Sequence, residues 1–218
     1  MTDLPTFERA RRPEQKAMRR EAIQVAARDL AIDRGVRNVT LCDIAGAVGT
    51  AKSNVLRYFG TREEIYLQLL IDDLEQWNRD FAAQVERDSV RGPGATAAAV
   101  AESTGDRPLL ADLLSQMAGT LEHNVRPERG RDFKVAAIGA AHVFGTTLRV
   151  AMPSLTEEQA FEAAAMTSLL TGMIWSTCTT PPEILELLDP SLLKLVPATF
   201  VPRLERALHA TYLGIPLI

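Results

Sequence analysis

Cysteine is nearly missing from this chain of 218 residues: Cys42 and Cys178 are the only two, far apart and both inside helical patterns. That spacing excludes a disulfide-stapled secreted scaffold and a thiolate metal centre, and leaves two reduced thiols. Aromatic residues make up only 6% of the chain, and no stretch alternates apolar and polar positions with β-branched enrichment. Strands have little to build on, so an all-α protein is expected. No window approaches the roughly 18 consecutive apolar residues that span a bilayer, and residues 1–12 carry no apolar leader. The chain reads as a cytoplasmic protein with no membrane partner. His123, His142 and His209 stand alone, and H-E-x-x-H, G-x-S-x-G and paired-cysteine spacings are all absent. No catalytic residue, metal or cofactor is therefore expected, and no enzyme.

A basic excess, the usual mark of a nucleic-acid binder, is missing as well: the net charge is -4. The average conceals an asymmetry. Residues 1–65 carry 12 Lys+Arg against 9 Asp+Glu, whereas residues 66–218 carry 12 against 19. A basic head precedes an acidic body, and a basic patch is where phosphates would be met.

What is present is helical punctuation. Pro13 reads as the first residue of a helix whose apolar positions, Ile23, Ala26, Ala27, Leu30 and Ala31, recur at intervals of three and four until Gly35. Thr40 with Asp43 caps a short second helix ended by Gly49. Thr50 caps a third that runs to Phe59 and closes at Gly60. Thr61 and Glu64 form a capping box for a long fourth helix reaching about Arg87. Loops are expected at Ser89–Gly94 and Ser103–Pro108 with a small helix between them. Further helices are expected from Pro108 to about Val125, from about Arg131 to Met152, and from Glu157 to Cys178 behind a Thr156–Gln159 box. The proline-rich stretch from Thr180 to Pro202 breaks regularity, and a last helix carries Leu204, Leu208 and Tyr212. The total is about nine helices. They divide into a three-helix head over residues 1–60 and a helical body over residues 61–218, with the fourth helix as connector.

Two short helices joined at a glycine corner make a helix-turn-helix, the geometry that sets the second helix in the DNA major groove. Gly49 is the pivot, because the corner demands a backbone that a residue with a Cβ resists. The outward positions of the second helix are Lys52, Ser53, Asn54, Leu56, Arg57 and Tyr58. Lys52 and Arg57 can meet phosphates or guanine edges, Asn54 can pair with adenine, and Leu56 can press on a thymine methyl. The basic residues Arg9, Arg11, Arg12, Lys16, Arg19 and Arg20 form an arm able to reach phosphates. Gly46–Ser53 lacks one glycine of a phosphate-binding loop, but no strand precedes it and Ala51 fills the position where backbone must approach phosphate.

The run Thr40-Leu-Cys-Asp-Ile-Ala-Gly-Ala-Val-Gly-Thr-Ala-Lys-Ser-Asn-Val-Leu-Arg-Tyr-Phe-Gly-Thr-Arg-Glu-Glu-Ile65 resembles the signature of the TetR family of bacterial repressors, and the likeness covers residues 15–66. The resemblance implies a homodimer on a double-stranded, palindromic operator, released by a small-molecule effector. It implies that Arg62 touches phosphate, and it adds Thr40 and Thr50, at the starts of the two helices, to the DNA-contacting set. Leu56, Ala51 and Gly60 depart from the common pattern: a Tyr is usual at the first, a Ser or Thr frequent at the second, a polar residue or Pro common at the third. Those departures bear on the operator sequence.

The same resemblance implies a body that dimerises and encloses a ligand cavity. Candidate pocket residues are the large groups of the middle helices, Trp77, Phe81, Met117, His123, Phe133, His142, Phe144 and Trp175, with His123 and His142 as polar fixers. Candidate interface stripes are Met166, Leu169, Leu170 and Met173 in one helix and Leu204 and Leu208 in the last. The reading from another class is a helical small-molecule binding protein or enzyme that has kept a vestigial head.

Overall fold

The computed structural model describes Thr6–Lys194, Val196 and Thr199–Leu217, with only the backbone described at residues 6–13, Ala118 and Pro182. Among these residues every regular element is helical. The α-helices are α1 (Thr6–Arg34), α2 (Leu41–Ala47), α3 (Lys52–Leu56), α4 (Arg62–Arg87), α5 (Pro93–Gly105), α6 (Pro108–Gln116), α7 (Pro127–Ala151), α8 (Glu157–Cys178), α9 (Pro182–Leu185), α10 (Pro190–Leu193) and α11 (Phe200–Gly214). Nine of them exceed four residues. A short 3₁₀ turn, Val36–Asn38, joins α1 to α2, and a wide π turn, Met117–Leu121, follows α6.

Capping chemistry fixes most of the starts. Thr40 and Asp43 exchange side-chain and backbone hydrogen bonds at α2, and Thr156 and Gln159 do the same at α8. Prolines open α5, α6, α7 and α10 at positions whose N–H has no helical partner. Several bounds differ from the sequence reading. The first helix begins at Thr6, so Pro13 lies inside it and the Arg9 carbonyl goes without that hydrogen bond. Helix α5 continues through Ser103 to Gly105, because Ser103 and Thr104 hydroxyls back-bond to the Val100 carbonyl instead of breaking the helix. Pro127, four residues ahead of the expected start, opens α7. The Thr180–Pro202 stretch holds the one-turn helices α9 and α10, and Pro202 falls harmlessly in the first turn of α11.

One continuous core runs through the molecule. In the head Ile23, Ala27, Val36, Ile44, Val55 and Phe59 converge, and α4 carries the core into the body through Ile65, Tyr66, Leu70, Trp77, Phe81 and Val85. There Trp77, Phe81 and Phe144 pack ring on ring at 4.7–5.6 Å between centroids. Helix α11 lies on α5 and α8, where the Tyr212 hydroxyl meets the Thr167 hydroxyl at 2.7 Å in full burial. Helices α4 and α7 run parallel, since Glu64 meets Arg126 where they begin and Asn78 meets Ala140 midway along both.

Candidate nucleic-acid interface

The head presents α3 on a tightly held corner. Thr40 accepts a hydrogen bond from the Asp43 amide at 3.2 Å, and Asp43 accepts from the Thr40 amide at 2.7 Å. Those bonds from Thr40, with the Arg34 guanidinium nearby, hold the Asp43 carboxyl below its ordinary range. At the corner Gly49 has φ 64°, a left-handed conformation with open space around the missing Cβ. Backbone conformation alone therefore asks for glycine there. The Thr50 amide donates back to the Ala45 carbonyl at 2.9 Å, closing the turn.

Helix α3 is shorter than the expected Thr50–Phe59. It spans five residues, starts after Ala51, which has no oxygen to cap it, and relaxes after Leu56 into turns. The Thr50 hydroxyl instead accepts from the Asn54 side-chain amide at 3.0 Å. Val55 and Phe59 face inward as read from the sequence. Lys52, Ser53, Asn54, Leu56 and Arg57 are exposed, as is Thr40, while Thr50 and Tyr58 are half-buried. The exposed set offers two cations, a hydroxyl, an amide and an apolar tip on one short face, the inventory that phosphate and base-edge contacts require.

The flanking helices brace this unit. From α1, the Arg20 guanidinium donates to the Tyr58 carbonyl at 2.6 Å and stacks over the Phe59 ring at 4.1 Å. Lys16 and Arg19 are exposed on the same helix, and the side chains of Arg9, Arg11 and Arg12 lie outside the described residues. Arg62 is placed differently from its expected role. Its guanidinium turns into the head, donating to the Val36 and Val39 carbonyls, pairing with Glu63 at 3.1 Å and lying 4.8 Å over the Tyr66 ring. From the body, Asp112 accepts from the Val36 amide at 2.7 Å, so the 3₁₀ turn before α2 is clamped from both sides.

At the start of α4 the Thr61 hydroxyl accepts from the Glu64 amide at 3.1 Å. The carboxylate of Glu64 does not complete the capping box. It accepts from the Gly60 amide at 2.8 Å and forms a two-pronged pair with Arg126, at 2.8 and 2.9 Å, at the head of α7. Arg126 is the main cause, with Gly60 adding to it, that holds the Glu64 carboxyl below its usual range. A Cβ on Gly60 would stand 2.7 Å from the Arg126 Nε and 2.8 Å from Glu64 Oε1, so any larger residue there would push the pair aside. Nothing local in the sequence foretold this contact, because its partners are 62 residues apart.

The body scatters the expected pocket residues. Trp77, Phe81, Phe133 and Phe144 are buried, and Met117 and Trp175 are half-buried, with Trp175 edge-on to Phe200. His123 and His142 are exposed, the latter lying against Phe161 at 4.5 Å, so neither faces the aromatic cluster. Helical spacing alone could not tell these exposed histidines from buried ones. Of the expected interface stripes, Leu169 and Met173 are exposed and Met166 and Leu170 half-buried. Leu204 and Leu208 are fully buried against the chain's own α5 and α8, so their stripe faces inward. Val135, Ile138, Val143 and Val150 form an exposed apolar row on α7, at intervals of three, five and seven residues, that sequence reasoning missed although the spacing is visible in it. Among the described residues no cluster of His, Cys, Asp and Glu is arranged to hold a metal, and no helix is long and apolar enough to cross a membrane.

A helical head with a glycine-cornered helix pair, set on a helical body, defines a helix-turn-helix DNA-binding regulator. Residues 23–69 match the profile described as bacterial regulatory proteins of the tetR family, and residues 71–217 match the tetracyclin repressor-like C-terminal domain. The chain belongs to the TetR family of transcriptional regulators. No curated protein matches it in sequence. Among solved structures it is similar to FadR of Thermus thermophilus, a TetR-family transcriptional repressor in complex with lauroyl-CoA, at 17% identity and TM-score 0.57, covering 90% of this chain and 92% of that one. It is also similar to the fatty acid degradation regulator FadR of Bacillus halodurans, at 14% identity and TM-score 0.52, covering 89% and 94% of the two chains. A TetR-family regulator of Mesorhizobium loti, itself assigned only provisionally, follows at 16% and 0.51, covering 92% and 96%. Likeness at these identities establishes the fold.

Proposed function

We propose that this regulator is a dimeric repressor, with residues 1–60 as its DNA-binding domain and residues 61–218 as its dimerisation and effector domain. The observation that carries the reading is the donor-bearing face of α3, Lys52, Ser53, Asn54 and Arg57, displayed on a corner braced by α1 and α4. Lys52 and Arg57 take phosphates or guanine edges, Asn54 reads adenine once it leaves Thr50, and Leu56 meets a thymine methyl. Thr40, Thr50 and Tyr58 flank that face, with Lys16 and Arg19 as further phosphate contacts. Arg62 acts by holding the 3₁₀ turn in place rather than by touching DNA.

The dimer forms through α7 and α8, whose neighbouring faces expose Val135, Ile138, Val143, Leu169 and Met173. Four such helices make a two-fold bundle. Two recognition helices then sit about 34 Å apart and the operator is an approximate palindrome.

Effector binding moves α4 against α7, and the Glu64–Arg126 pair passes that movement to the head. The cleft between these helices, floored by Leu67, Ile71 and Phe133, holds only about 110 Å³, against roughly 300–1,000 Å³ for an ordinary ligand site. An effector therefore enters by parting the two helices, which is how differential affinity becomes a change in head position. The acyl-CoA held by the Thermus relative makes acyl thioesters the first class to test.

A mobility-shift titration against the regulator's own promoter tests the reading. Binding that weakens steeply with salt and reverses with an acyl-CoA is expected. Absence of any salt-dependent shift, on that fragment or on genomic fragments at large, overturns it.

A further inference from the structure

Asn78 lies at the deep end of the α4–α7 seam, 4% exposed. Its Nδ2 donates to the Ala140 carbonyl at 2.9 Å, and its Oδ1, fully enclosed, meets no donor among the described residues. The amide cannot be turned over to relieve this, because a flip would set Oδ1 against the Ala140 carbonyl. A buried acceptor without a partner is a standing penalty, rare in folded proteins, and calls for a group that completes it, such as a water, an ion or a ligand. The Ala140 carbonyl gains little from Asn78, since as a mid-helix residue of α7 it already accepts the helical bond. The side chain thus contributes little to the fold and leaves one strong acceptor open.

Its neighbours give the rest of the site. Trp77 and Phe81 flank it on α4, and Phe144 lies one turn beyond Ala140 on α7. The Trp77 indole N–H is already spent on the Ser103 hydroxyl at 3.1 Å, which leaves the aromatic cluster no donor of its own to offer Asn78. Toward the head, the seam opens into the cleft whose last lining residues are Ile71 and Ala136. Ile71 and Asn78 are seven residues apart on one helix, about 10 Å along its axis. An effector that enters at the cleft and parts the two helices must extend about that far along the seam to reach Asn78.

We propose that Asn78 is the polar anchor of the effector site and that the effector is amphipathic, an apolar chain of about that length ending in a hydrogen-bond donor, an amide N–H or a hydroxyl, which Asn78 Oδ1 accepts. This rests on the reading of the chain as an effector-controlled regulator, and adds the chemical class the effector must have. The donor replaces a missing bond, so the acceptor discriminates against an otherwise identical molecule that lacks it.

Thermal melting of the full-length protein with decanamide and with N,N-dimethyldecanamide tests it, since the two share a chain and a carbonyl and differ in the donor. Wild type is expected to bind the primary amide about tenfold more tightly, the difference one hydrogen bond to a buried acceptor makes. Asn78→Leu is expected to bind the two alike, to melt no lower than wild type without ligand because it removes an unpaired group, and to keep its operator affinity. The proposal is overturned if wild type does not distinguish the amides or binds neither, or if the unliganded leucine variant melts several degrees lower, which would make Asn78 a structural residue. Loss of operator binding by wild type itself would instead overturn the regulator reading.

Discussion

Glu64 and Arg126 face each other in a two-pronged ion pair at 2.8 and 2.9 Å, and the amide of Gly60 completes the ring around the carboxylate. Glu64 belongs to the first turn after the DNA-reading helices, whereas Arg126 caps the first long helix of the body after the π turn. The pair therefore ties the recognition unit to α7 at the residue where the chain leaves the head.

Glu64→Gln should cost about 1 kcal/mol in urea unfolding at neutral pH, the size expected for a pair whose arginine is largely exposed. The folded carboxyl titrates below its ordinary range, so this contribution is present above the unfolded value near pH 4.3 and is lost as pH falls through the lower folded one. The gap between wild type and variant should close in acid. Gly60→Ala, which removes no charge but fills the space beneath the pair, should show the same behaviour. A gap that stays constant down to pH 3 would count against the assignment.

Gly49→Ala places a Cβ at φ 64° and should cost about 1–2 kcal/mol, lowering the melting temperature by about 3–6 °C. Because space around the site is open, the cost is conformational, and Gly49→Asn should recover part of it. Equal melting temperatures for all three proteins would remove the left-handed corner as the reason for glycine.

The exposed cations in and just after α3 should behave oppositely to Arg62. Arg57→Ala and Lys52→Ala should leave stability unchanged while each lowers the salt slope of operator binding by about one. Arg62→Ala should destabilise by about 2 kcal/mol, as the Val36 and Val39 carbonyls lose their donor, and should leave the salt slope as it is. Fluorescence anisotropy across a salt series, paired with urea melts, separates the two effects.

Two leucine-rich helices are likewise told apart by assembly. Met173→Asp, at a residue of α8 that is 66% exposed, should turn dimer into monomer in sedimentation with little loss of helix. Leu204→Ala should leave assembly intact and cost about 2–5 kcal/mol by opening a cavity under α11.

The head was legible because its instructions are local. Thr40 and Asp43, Gly49, Val55 and Phe59 each act within a few residues of their own position, and the structure finds them capping, turning and packing as their chemistry dictates. The length of α3 was misjudged for an equally local reason: Thr50 could cap it, but its hydroxyl is taken by Asn54. In the body the same apolar periodicity serves two masters. Leu204 and Leu208 repeat as Leu169 and Met173 do, yet one stripe meets the chain's own α5 and the other meets solvent. Periodicity specifies that a face is apolar, not what covers it. Arg62 and Glu64 escaped for a third reason, since a charged residue at a helix start looks alike whether its partner is a solvent ion, a phosphate, a carbonyl of the turn before α2 or a guanidinium at the head of α7.

Two contacts that join α4 to the start and middle of α7 have equal offsets: Glu64 to Arg126 and Asn78 to Ala140 are both separated by 62 positions. Equal offsets mean that the two helices are threaded in step, like paired rails tied at the start and again midway. A single residue inserted in α4 between the ties would turn everything beyond it by about 100° and carry Asn78 off the seam while Glu64 stayed in place. Side chains along the solvent side of that stretch are free to drift over evolutionary time, but its length is not. A gain or loss there would need a matching change in α7 between Arg126 and Ala140, so relatives that preserve this arrangement should vary in length at loops and chain ends and keep these two spans equal.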